Sequence, residues 1–218
     1  GVYVVLDLSL GEDHPRNTGI LKMLEIMEGC STVELAIQSV GHHIRPSDPK
    51  GDDIAVKWLE KALKIVERRN INILLYTHLS FWVERHEDAV RLCQRLNHPN
   101  LGIVFCGYHW YAVDGTNLLG TLRAVSPYLK QVNISGSRRD PHGFGGVATI
   151  GPLDVGELDN FALLGQLKKM GYNGMIGYQG WGEGGDAYSK LSRSLKAFRD
   201  MERRLEAHPH WAELRLTP

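Results

Sequence analysis

Short apolar runs alternate along the chain with longer segments whose apolar residues recur at helical spacing. The apolar runs are rich in Val, Ile, Leu and Tyr, and each ends in polar or small residues. This is the pattern of strands that are buried on both faces of a parallel sheet. Six strands are therefore predicted, at Val2–Leu8, Thr32–Ile37, Ile71–Tyr76, Leu101–Phe105, Leu129–Ile134 and Gly174–Tyr178.

Most of the intervals between these strands predict a helix with one apolar face. The helix after the second strand begins near Asp52 or Asp53, either of which can cap its N-terminus. Its apolar stripe is formed by Ala55, Trp58, Leu59, Ala62, Leu63 and Val66. The last helix begins near Asp186. Strand and helix alternate about every 30 residues, which predicts βα units around a parallel sheet.

Two parallel architectures accommodate six such units in one domain over residues 1–218. One is an open, doubly wound sheet, and the other is a (β/α)8 barrel, which needs eight units and typically about 250 residues. No glycine-rich nucleotide-binding motif follows any predicted strand, so the sequence lacks the motif that usually indicates a nucleotide-binding open sheet. Both architectures belong to the α/β class.

The composition is that of an ordinary globular protein, with 43% hydrophobic residues and 25 Lys and Arg against 25 Asp and Glu. A formal charge of zero argues against a nucleic-acid partner, because phosphate binding needs a basic excess or stripe. No apolar run approaches about 18 residues, so no membrane span is predicted. Cys30, Cys93 and Cys106 lie in apolar contexts and are expected to be free thiols. No targeting segment follows Gly1, so any such segment is expected to be absent or already removed. The compartment is left open, with the cytoplasm slightly favoured.

Polar side chains collect where the predicted strands end. In a βα sheet, the ligand site lies outside the carboxyl ends of the strands. The candidates at these ends are Gln38, His42, His43, Arg45, His78, Cys106, His109, Asn133, Arg138, Arg139 and Gln179. The aromatic residues near them are Trp82, Tyr108, Trp110 and Trp181. Together they predict a polar pocket with aromatic walls, a composition usual for sugar binding.

Each candidate also has a purely structural alternative. A histidine at a strand end is often only a hydrogen-bonded structural residue, and Arg139 with Asp140 can form a solvated charge cluster. Glu84 can simply favour a helix N-terminus, Cys106 can be an inert buried thiol, and His42 can be an exposed loop residue. The recurrence of polar residues on five strand ends is what favours a functional site.

Several segments, taken in their order and spacing, carry a resemblance to a known family. They are Tyr76–His78, Pro99–His109, Val132–Gly136, Gly156–Asp159, Leu167–Gly174 and Tyr178–Gly180. The chain resembles the xylose-isomerase-like TIM-barrel family of sugar phosphate isomerases and epimerases, well over residues 70–200 and weakly before them. The resemblance implies a (β/α)8 TIM barrel whose last six units are present and whose first two units, about 60 residues, are missing.

The resemblance also implies a divalent metal, held on four strand ends by Glu, Asp, His and Glu. The matching positions here are His78, Cys106, Asn133 and Gln179, and none keeps the family's residue. A hard dication prefers oxygen anions, which these side chains do not supply. A softer ion such as Zn²⁺ could use His78, Cys106 and His109, with amides as weak further ligands. One expectation is therefore Zn²⁺ or Mn²⁺ at His78, Cys106 and Gln179, and the other is a site without metal.

Other residues match the family's pattern around the metal, namely His109, Glu84 and Arg139. Amides cannot act as general bases at neutral pH, so Glu84, His78 and His109 remain as candidates. Of these, His109 and Glu84 are the expected catalytic acid and base. Arg139 and Asn133 are expected to support an oxyanion. Further substrate contacts are expected from Trp110, Trp181 and His42.

Three functions remain in competition. The first is a sugar or sugar-phosphate isomerase or epimerase that removes a proton next to a carbonyl. The second is a carbohydrate-binding or regulatory relative without catalysis, and the third is a lyase or hydrolase acting on an oxidised sugar. An endonuclease is disfavoured, because it needs a multi-metal site and a basic face. The expected partner is a small carbohydrate, with no nucleic acid and no membrane, and an open sheet edge favours a homo-oligomer.

Overall fold

The computed structural model describes residues 1–113 and 115–213 and contains eight strands in these ranges. They are β1 (Val2–Asp7), β2 (Thr32–Gln38), β3 (Asn72–Tyr76), β4 (Leu101–Cys106), β5 (Leu129–Ile134), β6 (Gly136–Phe144), β7 (Ala148–Gly151) and β8 (Met175–Tyr178). Six of them form one parallel sheet in the order β1-β2-β3-β4-β5-β8, and β6 and β7 form a separate antiparallel hairpin. The six predicted strands are confirmed to within two residues at each end.

Helices follow the strands of the parallel sheet. They are α1 (Pro15–Ile26), α2 (Asp52–Glu67), α3 (His86–Leu96), α4 (Gly107–Val113), α5 (Leu118–Val125), α6 (Asn160–Lys169) and α7 (Ala187–Ala207). Short 3₁₀ turns lie at Val40–His42, Pro49–Gly51 and Pro209–Glu213. The α/β class and the alternation of strand and helix are as predicted from the sequence. Within the described residues, no helix is both long and apolar enough to cross a membrane.

Side chains alternate along each strand between an outer face of the sheet, which packs against the helices, and an inner face. On β2, Leu35 and Ile37 point outward and are fully buried against helices α1, α2 and α3. The apolar stripe predicted for α2 is this buried face. A second outer cluster packs β4 and β5 against α5, α6 and α7. Residues of the opposite parity, such as Ala36, Leu74 and Val104, pack together on the inner face of the sheet. Polar residues of this parity are therefore brought together on the inner face.

The hairpin β6–β7 was not predicted from the sequence. It leaves β5 at Gly136, where a Cβ atom would overlap the backbone carbonyl oxygens of Pro152 and Val155. The hairpin extends across the inner face, and Phe144 at its end contacts His78 with ring centroids 5.6 Å apart. The hairpin thus supplies one wall of the cavity described below.

The cysteines are free thiols, as expected from the sequence. Cys93 and Cys106 are buried, whereas Cys30 is half-buried. Burial raises the pKa of the Cys93 thiol to about 12. The Cys93 side chain is therefore a protonated, weakly polar packing group at neutral pH.

Candidate functional site

A cavity of about 470 Å³ lies on the inner face of the parallel sheet, in the size range of small-molecule sites. Its polar lining comes from β2 and β5, from the residues that follow β3 and β8, and from the start of α4. It consists of Glu34, His78, His109, Gln131, Asn133 and Gln179. Its aromatic walls are formed by Tyr3, Tyr76, Tyr108, Phe144, Tyr178 and Trp181. The carboxyl ends of the strands thus surround a polar pocket with aromatic walls. Of the four aromatic residues expected there, Tyr108 and Trp181 line the cavity, whereas Trp82 and Trp110 pack in the outer clusters.

His78 is held between two rings at one side of this cavity. Its imidazole stacks on Phe81, with centroids 3.8 Å apart, and lies at a tilt of 36° to the His109 ring, with centroids 4.1 Å apart. Its Nδ1 lies 2.8 Å from the carbonyl oxygen of Leu79. A carbonyl can only accept, so Nδ1 carries the hydrogen and Nε2 keeps a lone pair. Burial lowers the pKa of His78, which favours this neutral form at neutral pH.

His109 has the opposite tautomer. Its Nδ1 accepts a hydrogen bond of 3.1 Å from the backbone N–H of Leu79, so the hydrogen of the neutral ring is on Nε2. Burial, together with the neighbouring His78 and His86, lowers the pKa of His109 well below its ordinary value. His109 therefore offers the cavity a hydrogen-bond donor and no lone pair. Its neighbour His78 offers an acceptor and a potential base.

Three side chains close a ring of hydrogen bonds beneath the cavity. The Tyr76 hydroxyl donates to Cys106 Sγ at 3.2 Å, the Cys106 thiol donates to Gln179 Oε1 at 2.9 Å, and Gln179 Nε2 donates to the Tyr76 hydroxyl at 3.0 Å. The thiol must keep its hydrogen to complete this ring. Burial supports that state, because it raises the pKa of Cys106 to about 11.

A second closed network joins opposite sides of the inner face. Gln131 Nε2 donates to Glu34 Oε1 at 2.6 Å and to Asn133 Oδ1 at 2.9 Å. Asn133 Nδ2 donates to Glu34 Oε2 at 3.0 Å. Both carboxylate oxygens of Glu34 are thus held by neutral amides. Glu34 itself is half-buried and lines the cavity.

These networks bear on the expected metal. Of the four positions that match the family's ligands, Cys106 and Gln179 are committed to the first ring and Asn133 to the second. Only the Nε2 atom of His78 is left as a donor to a cation. In residues 1–113 and 115–213, no group of three or more His, Cys, Asp or Glu side chains is placed to hold a metal ion. The residues present therefore do not fit a Zn²⁺ or Mn²⁺ site.

Other predicted site residues lie away from the cavity. Trp110 packs outward on Phe105 and donates from Nε1 to Thr121 Oγ1 at 3.3 Å. Glu84 Oε1 accepts from the Ser80 backbone N–H at 2.7 Å. The structure does not bring either side chain to His78 and His109.

Two more predicted contacts are also placed elsewhere. Arg139 lies on the hairpin, where its Nη1 donates to the Ala112 carbonyl at 2.8 Å and its guanidinium lies over the Tyr111 ring. His42 is exposed on a 3₁₀ turn. Trp181, by contrast, lines the cavity and meets Phe144 edge to face, with centroids 5.4 Å apart.

Tyr3, Glu34 and Gln131 are among the lining residues that were not predicted from the sequence. All of them lie within strands rather than at strand ends. A signal was present, because Glu34 interrupts the apolar run of β2 and Gln131 precedes Asn133 by two positions on the same face of β5. A polar residue inside a buried strand points either to an internal hydrogen-bond network or to a ligand.

The chain belongs to the xylose isomerase-like TIM barrel family, whose sequence model matches residues 8–201. It is 25% identical over 159 residues to a Mus musculus protein named "Putative hydroxypyruvate isomerase". That match covers 68% of this chain and 53% of the mouse protein. The chain thus spans about half the length of this curated relative.

Solved structures show the same fold. An L-ribulose 3-epimerase superposes with a TM-score of 0.73 at 12% identity, over 100% of this chain and 80% of its own. A xylose isomerase-like TIM barrel protein from Mycobacterium smegmatis, solved in complex with magnesium, superposes with a TM-score of 0.67 at 15% identity, over 92% and 72% of the two chains. The TIM-barrel expectation is confirmed. The expectation of two further βα units ahead of this chain stays a prediction.

Proposed function

We propose that this protein acts on a sugar as an isomerase or epimerase, by moving a proton next to a carbonyl group. The observation that carries the proposal is the pairing of His78 and His109, which present a lone pair and an N–H group side by side in an aromatic-walled cavity. Membership of the xylose isomerase-like family supports the same class of chemistry. The substrate-facing groups are imidazoles here, in place of the expected metal and carboxylates.

In the proposed reaction, His78 Nε2 takes the proton from the carbon that carries a hydroxyl group beside the carbonyl. The C–H electrons form the carbon–carbon double bond, and the carbonyl electrons move onto oxygen to give an enediolate. The His109 Nε2–H donates a hydrogen bond to that oxygen, where the negative charge develops. His78 then returns the proton to the neighbouring carbon, and a hydroxyl proton moves between the two oxygens to complete the isomerisation.

The arrangement favours isomerisation over epimerisation. Inversion at one carbon needs proton transfer on two opposite faces, whereas a cis-enediol can be served from one face by one base. Only one of the two imidazoles keeps a lone pair for the cavity. We therefore assign the base to His78 and the electrophilic donor to His109, with Asn133, Gln179 and Trp181 as sugar contacts.

The test is deuterium incorporation from D₂O into unphosphorylated pentoses and hexoses, followed by mass spectrometry and NMR. The matched variants are His78→Asn and His109→Asn, because the Asn side chain can keep the bond to Leu79 while lacking the Nε2 atom. Loss of a positioned base lowers rates by about 10²–10⁴-fold. We expect such a loss in His78→Asn and near-normal exchange in Glu84→Gln. Exchange that survives in His78→Asn would contradict the assignment.

A second candidate is a carbohydrate-binding protein without catalysis. The observation that favours it is the commitment of Cys106, Gln179 and Asn133 to closed hydrogen-bond networks. Such networks hold a pocket in shape, yet they leave few groups free for proton transfer. Calorimetric binding of a sugar, combined with no deuterium incorporation into it, would select this candidate.

A further inference from the structure

We propose that Glu34 makes the cavity selective for a sugar that carries a protonated amino group, and that the cavity rejects sugar phosphates. This inference rests on the proposed function only in taking the same cavity as a carbohydrate site. It adds the chemical class of the ligand. The structural basis is a half-buried carboxylate with neutral partners, set among aromatic rings.

The cavity lining carries an unbalanced negative charge. Among the described residues that line the cavity, Glu34 is the only Asp, Glu, Lys or Arg. Its carboxylate oxygens accept from Gln131 and Asn133, which are neutral. The two histidines of the lining, His78 and His109, are neutral as well, because burial lowers the pKa of each. A carboxylate withdrawn from water is stabilised by a positive charge, and a ligand amine would supply it.

Aromatic rings surround the Glu34 carboxylate. Tyr3 lies beside Glu34 on the adjacent strand, because the two residues are register partners in β1 and β2. Tyr3 meets Tyr76 edge to face, with centroids 5.2 Å apart, and Tyr178 and Trp181 complete the wall. The faces of such rings attract cations, and clusters of them bind substituted ammonium groups. The carboxylate and the aromatic rings therefore both favour a positively charged ligand.

In the part of the chain that the structure describes, the cavity lining offers no cationic side chain to a phosphate group. The nearby arginines of the hairpin are engaged elsewhere, Arg139 with the Ala112 carbonyl and the Tyr111 ring, and Arg138 with Asp140 at 3.6 Å. A phosphate in the cavity would gain no ion pair from the lining residues and would face the Glu34 carboxylate. Like charges in a partly dehydrated site repel, so an anionic sugar is disfavoured.

One further positive group lies close to Glu34 and has to be controlled. A Cβ atom at Gly1 would be 3.8 Å from Glu34 Oε1, so an amino terminus at Gly1 would be near the carboxylate. In the experiment, the protein therefore carries a short N-terminal extension that places Gly1 in a peptide bond. The amine that Glu34 binds must then come from the ligand.

The experiment is isothermal titration calorimetry with three probes: glucosamine, glucose and glucose 6-phosphate. We expect glucosamine to bind about tenfold or more tightly than glucose, since a desolvated cation–π or charge-assisted contact is of that size. Glucose 6-phosphate should bind more weakly than glucose. In Glu34→Gln, glucosamine and glucose should bind alike. The matched control Glu157→Gln, at an exposed carboxylate on the hairpin side of Tyr111, should keep the wild-type order.

The outcomes separate this inference from the proposed function. Equal binding of glucosamine and glucose by the wild-type protein overturns the amine preference and leaves the sugar site intact, and it needs no variant. Tighter binding of the phosphate overturns it as well. An amine preference that persists in a folded Glu34→Gln protein removes the role of Glu34. Amine-selective binding without deuterium exchange upholds this inference and refutes the catalytic function. No binding of any probe overturns this inference, and the proposed function is then decided by deuterium exchange into the pentoses and hexoses.

Discussion

The imidazole rings of His78 and His109 lie 4.1 Å apart, centroid to centroid, and carry their hydrogens on different nitrogens. In the proposed reaction, this pair matches an α-hydroxycarbonyl group. His78 Nε2 accepts the proton bound to carbon, and His109 Nε2–H donates a hydrogen bond to the carbonyl oxygen. Protonation of either ring would place a positive charge against its neighbour. Burial favours the neutral form of both rings by lowering the pKa of each, and the neighbouring His78 and His86 lower the pKa of His109 further.

The rate of deuterium exchange is expected to depend on pH through His78. Burial lowers the pKa of this group below 6.5, so the neutral, active base predominates at neutral pH. The rate should reach a plateau towards neutral pH and fall as the pH drops through the lowered pKa. A rate profile between pH 4 and 8 checks this. His109→Asn should lower the plateau and leave the midpoint below 6.5, and a midpoint above 6.5 would contradict the assignment.

Acid should destabilise the fold through His86. This ring is fully buried, stacks on Phe105, and has a pKa lowered to about 3. The unfolded chain binds a proton there below about pH 6.5, and the folded chain does not, so stability is lost as the pH falls from 6.5 towards 3. The loss amounts to about 1.4 kcal/mol per pH unit for one group.

Denaturant unfolding at several pH values measures this effect. His86→Phe should reduce the slope of the unfolding free energy between pH 6 and 4 by about 1.4 kcal/mol per pH unit. His142→Gln is the control, because the His142 side chain is 94% exposed and lies outside the core that surrounds His86. Equal slopes in wild type and His86→Phe would refute the role of His86.

Divalent metal is expected to bind weakly. The thiol of Cys106 is protonated and the amides of Asn133 and Gln179 are engaged, so Zn²⁺ or Mn²⁺ would have to break both networks to gain ligands. Elemental analysis after incubation with each ion should find well under one equivalent. One equivalent of metal that disappears in His78→Ala would show the opposite and would place a metal centre at the strand ends.

Glycine at position 136 is expected to be essential for the hairpin. Any side chain there would overlap the Pro152 and Val155 carbonyl oxygens, so Gly136→Ala should cost about 1–3 kcal/mol or more. Gly19→Ala is the matched control, because Gly19 is exposed within α1 and a Cβ there meets nothing within 4 Å. It should stabilise by roughly 0.5–1 kcal/mol. The free energies of unfolding of both variants, measured by chemical denaturation and compared with that of the wild type, test this prediction.

Tryptophan fluorescence should report ligand binding through Trp181. This side chain is 66% exposed at the cavity wall, whereas Trp110 is 7% exposed and packs on the helix side of the sheet. A bound sugar should therefore shift the emission to shorter wavelength and reduce quenching by iodide. Trp110→Phe should keep this response and Trp181→Phe should lose it. The reverse result would place the ligand elsewhere.

The strands and most helices could be predicted because burial on both faces leaves a plain apolar pattern in the sequence. The hairpin could not, since the sequence of β6 from Gly136 to Phe144 contains Gly, Pro and charged residues without apolar alternation. Its pairing depends on tertiary contacts such as the close approach at Gly136, which local sequence does not encode.

Within the site, strand-end position predicted proximity but not side-chain direction. His78, Asn133 and Gln179 meet because parallel strands end at one edge of the sheet. Helix α4 begins immediately after β4, so successive residues turn by about 100°, which leaves His109 toward the cavity and Trp110 toward the outer layer. Such rotations depend on where the helix starts, and residue spacing alone does not fix that point.

Both imidazoles take their tautomers from one residue, Leu79, whose N–H binds His109 and whose carbonyl oxygen binds His78. Donor and acceptor are consequently coupled and cannot be adjusted one at a time. Ser80, the next residue, has a positive φ of 67°, an uncommon backbone conformation outside glycine. A small shift of this short backbone segment would release both rings together, so the polarity of the whole pair depends on the conformation of two adjoining residues.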